Sequence, residues 1–278
     1  MKKIKEYYFE VESNKITDKR IVLLSDIHYY DKKEYFKLEA ISEYLFKLKP
    51  DYILIAGDLL DEAFVYDLNK LYEWFKKVSK IASIYISLGN HDLLIEENFK
   101  TGFDKEFFKR LEKISNVKVL DNTLFVDDNI CFRGLTMPAE YFYVKREPKE
   151  DLIKHMNNTF NTAKKAEFNL LLCHTPLAIA NKKVLKQLKI HKDLDLIVCG
   201  HTHGGITPGF LRPMLKGIGI ISPLRKLFFE NAYGQKQINN TNIIISSGVT
   251  KAGHRNRFYK FNSFFASEIT IIDVKKTR

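Results

Sequence analysis

Residues 21–58 read IVLLSDIHYYDKKEYFKLEAISEYLFKLKPDYILIAGD. An apolar run, Ile21 to Leu24, stops at Ser25-Asp26-Ile27-His28. From Tyr35 to Leu48 the residues Leu38, Ile41, Leu45 and Leu48 recur at the spacing of one helix face. A second apolar run, Tyr52 to Ala56, stops at Gly57-Asp58. Short apolar runs do not by themselves separate strand from buried helix. Here the Val, Ile and Leu content, cut off by polar and turn residues, favours buried strands. A strand, a helix and a second strand predict a crossover unit with its two strands parallel in one sheet.

The same pattern repeats outward along the chain. Ser83 to Leu88 ends at Gly89-Asn90-His91-Asp92, and Asn169 to Cys173 ends at His174. Leu194 to Cys199 ends at Gly200-His201-Thr202-His203-Gly204, and Asn242 to Ser246 is a further run. Helical patterns recur over Leu68 to Val78 and, more weakly, Glu150 to Lys165. The segment Val117 to Leu135 lacks a helical period and predicts short strands around a turn at Val126–Asn129, hence a mixed sheet. Glu268 to Val274 alternates as a closing strand. No repeat, low-complexity stretch or linker divides the chain, so residues 1–278 read as a single α/β domain.

In α/β sheets the carboxyl ends of the strands build the site, and five such ends carry Asp, His or Asn. Two divalent cations about 3.5–4 Å apart can clamp a phosphate ester and activate a water. Carboxylates can bridge such ions, whereas imidazole and amide oxygen fill the shells without excess negative charge. Residues two apart on an extended segment point the same way, which would aim Asp26 with His28, and His201 with His203, at one centre. Five of the eight histidines, His28, His91, His174, His201 and His203, fall inside these strings. A lone Asp-x-His or Gly-Asp is common and carries little. The GNHD and GHTHGG strings are specific, and five coincidences at strand ends are a poor alternative.

The composition, 45% hydrophobic and 28% charged over 278 residues, is that of an ordinary globular chain. The formal net charge of +11 favours anionic partners: phosphorylated metabolites, nucleic acid or an anionic membrane. A lysine-rich surface that merely keeps the protein in solution accounts for it equally. Cys131, Cys173 and Cys199 are sparse and without close spacing, which does not suggest a disulfide framework or a zinc knuckle. The start, MKKIKEYYFEVESNK, is charged without a following apolar region, unlike a signal peptide. With no run long enough for a spanning helix, the expectation is a cytoplasmic protein, membrane association being left open by residues 206–229.

The blocks D-x-H, G-D, G-N-H-D, a lone His and G-H-x-H resemble the calcineurin-like metallophosphoesterase superfamily over roughly residues 20 to 274. The trailing glycine of GHTHGG and the late SSGVTKAGHRNRF are most similar to its bacterial YkuE/YaeI-type phosphodiesterase branch. The resemblance implies a four-layered α/β/β/α sandwich of two mixed sheets flanked by helices. It also implies a binuclear, metal-dependent hydrolysis of phosphodiesters or phosphomonoesters by direct attack of an ion-activated water. Asp26, His28 and His203 would then hold the first ion, Asp58 would bridge, and Asn90, His174 and His201 would hold the second. His91 would protonate the leaving oxygen, with Asp92 orienting it. Manganese is the ion the resemblance favours; iron, zinc, nickel and cobalt fit the same donors.

After GHTHGG comes ITPGFLRPMLKGIGIISPLRKLFF, apolar and basic by turns, in which Pro208, Pro213 and Pro223 preclude one helix. Residues 206–229 are expected either to pack on the domain as a lid or to contact a membrane or lipid substrate. Later, His254 and Arg257 stand as substrate-phosphate contacts or as a solvated basic turn. The expected substrate is a small-molecule or lipid phosphoester. A nuclease is the alternative, although the chain shows no interleaved aromatic-basic array for nucleic acid. A non-catalytic scaffold is less favoured, because Asp58, Asn90 and His91 are all present.

Overall fold

In the computed structural model, the described residues are 4–29, 32–61, 67–93, 105–137, 150–160, 166–176, 186–187, 193–222, 226–250 and 267–277. Among them the strands run β1 (Lys5–Ser13), β2 (Lys19–Leu24), β3 (Tyr52–Ala56), β4 (Ser83–Ser87), β5 (Val117–Val119), β6 (Leu124–Asp127) and β7 (Ile130–Leu135). They continue as β8 (Phe168–Cys173), β9 (Leu196–Cys199), β10 (Gly219–Ile221), β11 (Leu227–Phe229), β12 (Gly234–Ile238), β13 (Thr241–Ile245) and β14 (Glu268–Lys276). The helices are α1 (Lys32–Leu48), α2 (Leu68–Val78), α3 (Lys105–Leu111), α4 (Glu150–Phe160) and the single turn α5 (Arg212–Leu215).

The crossover predicted from residues 21–58 is present: β2 and β3 are parallel, with Ile21 beside Tyr52 and Leu24 beside Ile55. They belong to a six-stranded sheet of order β1-β14-β2-β3-β4-β5, in which β14 runs antiparallel to β2. The second sheet has order β12-β13-β9-β8-β7-β6, parallel at its centre and antiparallel at both edges. Both sheets are therefore mixed, as expected. The strands at Val117–Leu135 and the closing strand appear where the pattern put them. Among the described residues, the strands β1, β10, β11 and β12 and the short helices α3 and α5 were not anticipated.

Three apolar layers hold the sandwich together. Leu23, Leu54, Ala56 and Tyr85 from the first sheet meet Phe132, Leu170, Leu172 and Val198 from the second. The outer face of the first sheet buries Val22, Ile53 and Ile84 under Leu38, Ile41 and Leu45 of α1 and Trp74 and Phe75 of α2. The outer face of the second buries Leu171 and Ile197 under Ile153 and Met156 of α4. Central strands covered on both faces must be apolar throughout, which explains the unbroken runs in the sequence. In α2 the buried residues Leu71, Trp74, Phe75 and Val78 fall on one stripe, and Asp67 caps its start by accepting from the Lys70 amide. This packing brings the carboxyl ends of β2, β3 and β4 level with those of β8 and β9.

Candidate metal centre

The segments that leave these strand ends run side by side. The Asp26 amide donates to the Gly57 carbonyl (3.1 Å), the His28 amide to Asp58 (3.0 Å) and the Tyr29 amide to Leu59 (2.9 Å). They are not extended. Asp26, His28, Asp58, His201 and His203 have φ of 50, 46, 51, 69 and 47°, all in the left-handed region. The expectation that Asp26 and His28, or His201 and His203, align on an extended stretch is corrected: alternate residues twist left-handed, and the side chains converge that way. Such conformations are uncommon for residues with a side chain and persist where surrounding contacts over-determine them. Two glycines make the crowding possible. Gly57 has φ +73°, and a Cβ there would lie 2.6 Å from the His174 ring; one on Gly89 would lie 2.2 Å from the Asp58 carboxylate.

Three donor groups result: Asp26 with His28 and His203, His28 with Asp58 and His91, and Asp58 with His174 and His201, each with ligand atoms within 4.8 Å of one another. His28 and Asp58 belong to two groups each. His203 Nε2 lies 3.6 Å from Asp26 Oδ1, His28 Nε2 lies 3.6 Å from Asp58 Oδ2, and His174 Nε2 lies 2.9 Å from Asp58 Oδ2. His174 Nδ1 is 2.7 Å from the Ala56 carbonyl. A carbonyl only accepts, so Nδ1 carries the hydrogen and Nε2 is turned to the carboxylates. The amide of His201 donates to both oxygens of Asp26 (3.2 and 3.0 Å), and the amide of His91 donates to Asp58 Oδ1 (2.8 Å).

Burial alone would raise the carboxyl of Asp58, but His174, His91 and His28 outweigh it and hold it well below the usual range. Burial likewise opposes charge on His174, yet Asp58 and then Asp26 keep its pKa up at about 9. His201 goes the other way, to about 3, through burial and then the neighbouring His174. Two fully buried carboxylates thus draw positive charge into the cluster, which is the environment divalent cations fit.

Asn90 is buried at the start of the helical turn 90–93, directly after β4, and His91 beside it is partly exposed. Asp92 is fully buried, and its carboxylate accepts from the amides of Gly89 (2.9 Å), Leu60 (3.0 Å) and Leu59 (3.4 Å). Burial, then the charge of Asp58, pushes it up to about 6. Through those bonds its carboxylate locks the Asp58 loop to the start of the turn that carries His91. One residue was missed: Asp61, fully buried, with Oδ2 3.7 Å from His28 Nδ1. The signal was an acid three residues after Asp58, behind Leu59 and Leu60. The late SSGVT string closes the site from the other side. The Val249 amide donates to Ser25 O (2.9 Å) and the Thr250 amide to Asp26 O (3.0 Å). His254 and Arg257 lie outside the described residues.

Aspartates and histidines gathered from five strand ends of a two-sheet sandwich define a metallohydrolase-type centre. Residues 19–205 match the family described as calcineurin-like phosphoesterase, and the chain belongs to that family. It is 30% identical over 236 residues to the putative metallophosphoesterase F40B5.2 of Caenorhabditis elegans, covering 84% of this chain and 44% of that protein. It is 26% identical over 236 residues to the phosphodiesterase YaeI of Escherichia coli, covering 80% of this chain and 73% of that one. The chain spans about half the length of several curated relatives it matches. Among solved structures, TT1561 of Thermus thermophilus superposes with a TM-score of 0.50 at 13% identity, covering 82% of this chain and 89% of that one, a likeness of fold alone.

Proposed function

We propose that the chain hydrolyses a phosphoric ester, with phosphodiesters preferred, at a centre for two divalent cations. The observation that carries the proposal is the overlap of the three donor groups: His28 and Asp58 each serve two of them within 4.8 Å. Divalent cations supply Lewis acidity there, neutralising charge on phosphoryl oxygens and lowering the pKa of water. The remaining work falls to the chain. Asp26, His28 and His203 would hold one ion and Asn90, His174 and His201 the other, with Asp58 available to both. His91, partly exposed beside the buried ligands, donates a hydrogen bond to the phosphoryl group and passes its proton to the leaving oxygen. Asp92 fixes the loop that carries His91. The diester preference is supported by the likeness to YaeI, which is named a phosphodiesterase. Oxygen and imidazole donors without thiolate suit manganese, our first choice, as well as iron, zinc, nickel and cobalt.

The test is to strip the protein of metal, refill it with each cation, and assay diesters and monoesters while counting bound metal. Turnover should vanish on stripping and return with two equivalents per chain. Asp58→Asn should lose both ions and turnover together. Full activity after stripping would overturn the reaction class; Asp58→Asn with two ions and normal turnover would overturn the shared ligand.

A further inference from the structure

Within 206–229, the described residues 206–222 and 226–229 divide into two sets that the sequence did not separate. One set is core. Gly205 packs so tightly on β10 that a Cβ there would lie 2.2 Å from the Gly219 Cα, and Phe229 and Thr207 are buried. Arg212 is also withdrawn from the surface, pairing with Glu268 at 2.8 Å between the rings of Tyr7 and Tyr233. The other set faces solvent. Phe210, Met214, Leu227 and Phe228 are 68, 78, 61 and 65% exposed, and Ile218 is 36% exposed. Phe228 is held in solvent on a left-handed backbone, φ 48°, an outlier for a bulky residue.

The exposed residues stand on one short structural unit. The Lys216 amide bonds back to Arg212, the Ile218 amide to Leu215, and the Ala232 amide to Gly217, tying α5 to the β10–β11 hairpin. The 3₁₀ turn His203–Ile206, which carries His203, packs on that hairpin through Gly205. Lysines rim the unit. Lys216 and Lys226 are exposed, and Lys5 Nζ lies 3.3 Å from the place of a Cβ on Gly209, next to Phe210. Behind it opens a cavity of about 570 Å³ bounded by Lys216, Ile218, Tyr233 and Lys236. Glu230 is an exposed acid at the same end. Exposed aromatic and aliphatic side chains flanked by lysines, on a chain of net charge +11, match the boundary of an anionic bilayer in both polarity and sign. A second copy of the chain, equally basic, has the wrong charge to cover this rim.

We propose that α5 and the β10–β11 hairpin form a docking surface for anionic lipid, which sets the metal centre against a membrane. The docking rests on this surface and not on hydrolysis, so its measurement is independent of the proposed activity. Among the described residues no helix is long and apolar enough to cross a membrane; the contact is with the surface of the bilayer.

The test is co-sedimentation with vesicles of phosphatidylcholine and phosphatidylglycerol, against pure phosphatidylcholine, at low and high salt. The protein should sediment with the anionic vesicles at low salt and be released by high salt. Lys216→Gln with Lys226→Gln should weaken binding roughly thirtyfold if the charges act independently. Phe210→Ser, and Phe228→Asn, which suits a left-handed backbone, should each weaken it roughly tenfold or more. All four side chains are exposed, so melting temperatures and turnover of a soluble diester should match the parent protein. Protein wholly in the supernatant with anionic vesicles at low salt would overturn the proposal. So would a concentration-dependent dimer, lost in Phe228→Asn, in place of vesicle binding. Vesicle binding by a parent protein that turns over no soluble diester would sink the hydrolase reading alone.

Discussion

His91 is the residue on which the chemistry can be separated from the binding of metal. His28 and His91 pack edge to face with ring centroids 4.5 Å apart, so His91 sits against the ligands while keeping a partly exposed side. If it gives up a proton, His91→Ala should lower turnover roughly 10²–10⁴-fold with both ions retained. The loss should shrink for p-nitrophenolate, a leaving group that needs no proton. Equal losses on good and poor leaving groups would move His91 to another role. His174 makes a pH-dependent prediction. In the metal-free protein its pKa stands at about 9, so at pH 7 it carries a proton that a cation must displace. Metal binding should release that proton and tighten as pH rises toward 9. Calorimetry in two buffers of different ionisation enthalpy measures the release; affinity flat between pH 7 and 9 would contradict it. At this scale the sequence was highly legible, because ligand chemistry restricts residue type and the strings mark strand ends. The left-handed φ values of Asp26, His28, Asp58, His201 and His203 were not, because contacts across the sandwich impose them. Asp61 escaped for a similar reason: its burial beside His28 is a fact of tertiary packing.

Among the elements, α5 and β14 are joined by a buried ion pair. Arg212 and Glu268 retain 10 and 3% of their side-chain exposure, and Glu268 also accepts from the Ser247 amide (3.3 Å) and the Thr270 hydroxyl (3.2 Å). Removing one partner of such a pair strands the other charge. Arg212→Met should therefore destabilise the fold by about 3–5 kcal/mol, measured by denaturant unfolding, and should loosen the loop that carries His203. A variant as stable as the parent would show that Glu268 finds other compensation. Long elements with a clear period, such as α1, α2 and the doubly covered strands, were readable because burial on known faces dictates their pattern. The edge strand β1 was not, for its residues are only half covered and alternate weakly. The three-residue strands β10 and β11 are too short to show any period at all, and the segment looked like one loop.

Over the whole molecule, the two sheets meet through an aromatic layer. Phe132 stacks on Tyr85 with centroids 4.0 Å apart and leans on Tyr52 at 5.0 Å, the Tyr85 hydroxyl reaching Asp127 at 2.8 Å. Phe132→Ala should cost about 3–5 kcal/mol in global unfolding while leaving the ligands untouched; a loss below about 1 kcal/mol would mean that the layer closes over the gap. The proposed ligand set also spans this interface: Asp26, His28, Asp58 and Asn90 follow strands of the first sheet, His174, His201 and His203 strands of the second. Cations held there would act as a clasp between the two halves, added to their apolar contacts and to hydrogen bonds such as Tyr85 to Asp127 and the His201 amide to Asp26, and binding to the folded state alone would add stability with metal concentration. A chelator would then do more than silence the centre. It would release the clasp, raise the population of partly opened chains and expose them to proteases, so that metal supply would govern how long the protein survives as well as how fast it works.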